Sequence, residues 1–101
     1  MTHEKIIVHI DDEDVLDLAP SYLANRCKEL AVLRNAVAKG DFETLRGLGH
    51  KMKGSGGGYG FDRITEIGGN LESSAKAQDV PAIERTLADL HDYLNRVEIT
   101  G

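Results

Sequence analysis

The chain has 101 residues, with 17 acidic side chains against 12 basic ones, a net charge of −5 and one cysteine. That length fits one domain spanning residues 1–101. The acidity argues against nucleic acid or an anionic membrane as a partner, and one cysteine excludes an internal disulfide or a multi-cysteine zinc cluster. Hydrophobic residues make up 41% and aromatics 5%, with no Trp, so the core must be built from Leu, Ile, Val and Ala, as in packed helices. No charged leader precedes an apolar run and no apolar stretch approaches bilayer length, so the expected setting is the reducing cytoplasm. A chain this short, with two prolines, is not expected to carry a large enzyme cleft of its own.

Lys5–Ile10 (KIIVHI) is the only β-like run. One short strand makes no sheet, so residues 1–10 are expected to form an extended arm that lies on the bundle or pairs with a second copy. The acidic stretch Asp11–Asp14 suits a helix start, and a short helix is expected to reach about Leu18 before Pro20 breaks it. From Ser21 to Lys39, the residues Leu23, Cys27, Leu30, Leu33 and Val37 recur at spacings of three and four, which places Cys27 in the core as a small buried hydrophobe. Lys39-Gly40 ends that helix and Asp41 caps the next. The second long helix carries Phe42, Leu45, Leu48 and Met52 on one side and stops by about Gly58. Asp62 is expected to cap a third, with Ile64, Ile67, Leu71 and Ala75. Asp79-Val80-Pro81 opens a fourth, whose stripe is Ile83, Leu87, Leu90, Leu94 and Val97. The short linkers predict an up-down antiparallel four-helix bundle over residues 11–98, preceded by the short N-terminal helix and arm.

Of the four histidines, His3, His9 and His91 read as surface or core side chains, and no pair has metal-ligand spacing; no metal site is expected. His50 differs. With Leu45 at 0°, the apolar face of its helix centres near 0° and His50 falls at about 140°, on the solvent side. Gly54, Gly47 and Gly57 fall at about 180°, 200° and 120°, and Arg46 and Lys53 at about 100° and 80°. An exposed imidazole thus stands in a patch without side chains, with cations beside it. Glycine inside a helix costs up to about 1 kcal/mol relative to alanine. Gly49, at about 40°, gains close helix packing in return. Gly47 and Gly54 gain none, so they read as clearance for a macromolecule that must reach the ring. The chemistry suited to such a site is phosphoryl transfer to a ring nitrogen: neutral imidazole is a good nucleophile near pH 7, and Lys53, Lys51 or Arg46 can screen the added charge. No acidic residue adjoins His50 in sequence.

His50, Lys53, Gly54 and Ser55 form H-x-x-K-G-S, followed by glycines and Tyr59-Gly60-Phe61. This resembles the histidine-containing phosphotransfer (HPt) domains of bacterial phosphorelays. Tyr22-Leu23 through Gly40-Asp41-Phe42 is similar to the family's preceding helix and turn. Ile67, Leu71-Glu72, Ala75-Lys76 and Asp79 are similar to its following helix. The resemblance covers roughly residues 12 to 98. It implies that His50 takes a phosphoryl group from a receiver-domain aspartyl phosphate and passes it to another receiver aspartate. Lys53, with Lys51, would screen phosphate charge, and Gly54, Gly47, Gly57 and Arg46 would form the docking face. The chain itself would need no cofactor, since magnesium belongs to the receiver. The implied partners are response-regulator receivers, those of hybrid histidine kinases included, with the carrier a monomer unless the arm pairs two copies. The resemblance implies a phosphohistidine carrier rather than an autonomous enzyme. The alternative is a non-catalytic helical adaptor that binds or titrates a receiver. A nucleotide loop is excluded on sequence: Gly-Lys-Ser/Thr is absent, and G-x-G-x-x-G fails from both Gly54 and Gly56. A metal or electron-transfer bundle would need inward-facing ligands from several helices.

Overall fold

The computed structural model describes residues 4–101; His3 and the start of the arm lie outside the described residues. Its elements are β1 (Ile6–His9), α1 (Glu13–Lys39), α2 (Phe42–Ser55), a 3-10 turn (Gly57–Tyr59), α3 (Asp62–Lys76), α4 (Val80–Arg96) and β2 (Val97–Thr100). The chain is thus mostly helical. Three of the four helices start on an aspartate that supplies the acceptor their first N–H groups lack. Asp12 accepts from the Asp14 and Val15 N–H groups, Asp41 from that of Thr44, and Asp79 from that of Ala82. Gly40 closes α1 at φ 69°, a left-handed turn that suits glycine. Its N–H donates to the Ala36 and Val37 carbonyls.

α2 and α3 share the most extensive contact, and α4 and α1 complete the packing around a common core. Leu33, Leu45, Met52, Ile64, Leu71 and Leu90 are almost completely buried. Each such side chain stabilises the fold by about 1.5–3 kcal/mol relative to exposure.

Several details depart from the sequence reading. α1 runs unbroken through Pro20. Proline in a helix interior costs about 3 kcal/mol, but Ala19 and Tyr22 on either side of it are buried while Pro20 faces solvent. Packing on both flanks therefore carries the helix across, and no separate short helix exists. Cys27 is exposed, not core. The buried face of α1 follows Ala19, Tyr22, Leu30, Leu33 and Ala36, which turns Leu23 and Val37 to the flank and Cys27 outward. Phe61, not Asp62, is the residue before α3, and it makes no side-chain cap bond; Asp62 sits in the first turn, where its charge still suits the helix dipole.

Val97 leaves α4 with an extended backbone and begins β2. β1 and β2 pair in parallel, with Ile6 opposite Val97, Ile7 opposite Glu98, Val8 opposite Ile99 and His9 opposite Thr100. The arm therefore pairs with the C-terminal end of its own chain. Ile6, Val8, Val97 and Ile99 pack onto the core, and their β-branched side chains suit a half-buried strand.

Candidate functional site: a histidine and a lysine sharing one carboxylate

His50 lies on the outer side of α2, its side chain 70% exposed. Its ring is not free to turn. Nδ1 lies 2.9 Å from Oε2 of Glu72, on α3. A carboxylate only accepts hydrogen bonds, so Nδ1 carries the proton and donates. In the neutral ring the lone pair is then on Nε2. Lys53, one turn on, donates from Nζ to the other oxygen of Glu72 at 3.1 Å. Glu72 is only 12% exposed, against 53% for Lys53. The bond from Lys53 holds the Glu72 carboxyl below the ordinary carboxylate range, with desolvation opposing it and the bond from His50 adding to it. The site thus holds a carboxylate with both oxygens occupied, one fixed imidazole and one ammonium.

Glu72 is the residue that sequence reading missed. In the sequence Glu72 stands out only as part of the downstream resemblance, and no acid adjoins His50, a pattern that suits an anion-accepting site better than a cation site. The carboxylate comes from 22 positions away. The sequence signal was available in Gly49, placed toward the core. A Cβ there would stand 2.7 Å from the Glu72 backbone nitrogen and 2.9 Å from the Gly68 carbonyl oxygen. The close helix packing expected of Gly49 is therefore present, and its partner is the helix that carries Glu72.

Gly47 and Gly54 behave as expected of clearance positions: a Cβ at either would meet nothing within 4 Å. Arg46 and Lys51 are exposed, and among the described residues neither forms an ion pair. Gly57 lies beyond the end of that helix. α2 ends at Ser55, so Gly57 belongs to the 3-10 turn, where its N–H donates to Thr65 Oγ1 at 2.8 Å. Gly60, at φ 89°, then reverses the chain into α3.

Ser55 is structural here. Its hydroxyl donates to the Lys51 carbonyl at 2.8 Å and lies 2.7 Å from the Tyr22 hydroxyl, so Tyr22 donates to it. The Tyr22 ring stacks on Tyr59 and Phe61, at 4.3 and 5.8 Å between centroids. The Arg26 guanidinium lies 4.4 Å above the same ring. This cluster pins the C-terminal end of α2 to α1. Beside it runs a shallow groove lined by Leu18, Tyr22, Lys51 and Tyr59, with Leu18 exposed.

The other described histidines are engaged elsewhere. His9 contacts Asp11 and Thr100, and the Asn95 amide donates to His91. Among the described residues no three His, Cys, Asp or Glu side chains converge as a metal site, and no helix is long and apolar enough to cross a membrane. A family model described as Hpt domain matches residues 17–100, nearly the whole chain. No curated protein and no solved structure matches significantly.

Proposed function

The chain belongs to the Hpt domain family, which carries histidine phosphotransfer in phosphorelays and works with response-regulator receivers, and on that premise we propose that His50 is its phosphoacceptor. The observation that carries this reading is the orientation of the ring. Nδ1–H is tied to Glu72, which leaves Nε2 as the nitrogen with the lone pair, on a side chain that is 70% exposed. In the step proposed, Nε2 attacks the phosphorus of a receiver aspartyl phosphate. The Nε2–P bond forms, the acyl P–O bond breaks, and the receiver's carboxylate leaves. The ring becomes cationic as the bond forms, and Glu72, at the Nδ1 proton, stabilises that charge. Return to a second receiver aspartate reverses the same steps.

Lys53 supplies positive charge beside the incoming phosphoryl group. Its Nζ already donates to Glu72, and its role is electrostatic, favouring negative charge that builds up beside it. Lys51, on the other flank of α2, screens from farther away. Gly47 and Gly54 clear the surface for the receiver, with Arg46 and Gly57 at its margins. The chain needs no cofactor of its own in this scheme; magnesium sits on the receiver, including one attached to a hybrid kinase. The carrier acts as a single domain, a monomer in the cytoplasm, and is not an enzyme by itself. Connections as short as Gly40-Asp41 between α1 and α2 support the up-down antiparallel arrangement.

The test is transfer from a phosphorylated cognate receiver to wild type and to His50→Gln. Acid-labile label should appear on the wild type alone. Equal labelling of both proteins, or label on His9 or His91, would overturn the assignment.

A further inference from the structure

α2 and α3 touch backbone to backbone under the His50 site. Gly49 and Gly68 are both buried there. A Cβ at Gly68 would stand 2.4 Å from the Lys53 backbone nitrogen, 2.7 Å from the Gly49 carbonyl oxygen and 2.8 Å from the Met52 Cβ. A Cβ at Gly49 would stand 2.7 Å from the Glu72 backbone nitrogen. Each glycine therefore packs against the main chain of a residue that the opposite helix contributes to the site. These neighbours cannot swing aside as the end of a flexible side chain could. A methyl group at either position must move one helix away from the other.

We propose that Gly68 is a positioning residue for phosphotransfer, because its lack of a side chain lets α3 approach close enough for Glu72 to reach His50. Both ends of that reach are constrained. Glu72 leaves α3 one turn after Gly68, and His50 leaves α2 directly after Gly49. With the helices in contact, one carboxylate spans to the imidazole at 2.9 Å and the ammonium at 3.1 Å. With the helices parted by a methyl group, the carboxylate falls short, Nδ1–H loses its acceptor, and the ring is free to exchange tautomers and rotate. Gly69, the next residue on α3, has no such role: a Cβ there meets only the Lys53 side chain, at an ordinary 3.7 Å. Helix propensity favours alanine at both positions, so it cannot explain a difference between them.

This inference rests on His50 being the phosphoacceptor, so its main readout is independent of transfer. Ring 15N shifts of His50 report which nitrogen carries the proton. Wild type and Gly69→Ala should show the Nδ1–H tautomer, whereas Gly68→Ala, like Glu72→Ala, should show a mixture. Labelling of His50 should fall on the order of tenfold or more in Gly68→Ala, and Gly68→Ala should add nothing in a Glu72→Ala background, since it acts through that carboxylate. A folded Gly68→Ala with the wild-type tautomer would overturn the proposal, as would equal loss in Gly69→Ala. If Gly68→Ala does not fold, Glu72→Asp decides. It withdraws the carboxylate while leaving both glycines, so an unchanged tautomer would mean that reach is not limiting. Absence of transfer in every protein, with the tautomer pattern as stated, would refute the phosphoacceptor reading alone.

Discussion

α2 carries glycines on two faces, and the same residue type does opposite work on each. On the outer face, Gly47 and Gly54 border open space. On the inner face, Gly49 lies against α3, where a Cβ would stand 2.7 and 2.9 Å from main-chain atoms. Inner glycines lose helix propensity and gain contact between main chains. Outer glycines lose it and gain nothing within the folded chain, so what they favour must lie outside it. Propensity alone does not separate the two faces; the neighbour of the absent side chain does.

That contrast fails if both faces respond alike to substitution. The largest effect is expected on the outer face, in transfer. Gly54→Glu should slow phosphorylation of His50 by tenfold or more while the protein keeps its thermal midpoint, and Gly54→Gln separates bulk from charge. Unchanged transfer in both would mean that receivers do not approach over this face. Lys53→Glu should also lose most transfer, since it places a second carboxylate beside Glu72 and the phosphoryl group, whereas Lys53→Arg should retain much of it. If the charge reversal transferred at the wild-type rate, Lys51 or Arg46 would be the next source of screening.

A smaller effect is expected on the inner face, in stability. Gly49→Ala overpacks a main-chain contact and should destabilise by about 1–3 kcal/mol. Gly54→Ala should stabilise instead, by up to about 1 kcal/mol. Chemical denaturation measures both. Opposite signs support the division, and a shared sign would remove it.

Much of this was legible in the sequence, and the failures have identifiable causes. The four long helices follow from period-3.6 stripes and from Asp41, Gly40 and Asp79 at their ends, because capping is local chemistry. The outward placement of His50 follows from one helix's own geometry. What was not legible depends on a second element. Pro20 reads as a break until Ala19 and Tyr22 are seen buried around it. Val97 reads as the last position of the fourth helix's stripe until Val97–Thr100 is seen paired with Ile6–His9. Cys27 moves outward because the packed face of α1 adds Ala19, Tyr22 and Ala36 to Leu30 and Leu33 in place of Leu23, Cys27 and Val37. Glu72 reaches His50 only because two glycines, one on each helix, let the main chains touch.

The smallest expected effect separates two carboxylates that the fold depresses for different reasons. Glu72 lies below its ordinary value of 4.5 chiefly because Lys53 donates to it. Asp41 lies below its ordinary 3.8 chiefly because the Thr44 hydroxyl does, with the Thr44 N–H adding to it. A group whose pKa is lower folded than unfolded binds fewer protons in the native state, so its contribution is complete above the unfolded value and is lost as pH falls through the folded one. The stability gap between wild type and Glu72→Gln should therefore narrow as pH falls below 4.5. The gap for Asp41→Asn should begin to narrow only below 3.8. Salt distinguishes them further. The Lys53–Glu72 pair joins two full charges and should weaken as ionic strength rises, while the cap joins a charge to dipoles and should weaken less. Urea titrations at stepped pH and two salt concentrations read all of these terms. A Glu72 gap that stayed constant through the acid range would mean that the carboxylate is not held by Lys53 in the folded protein, and the shared-carboxylate description of the site would fail with it.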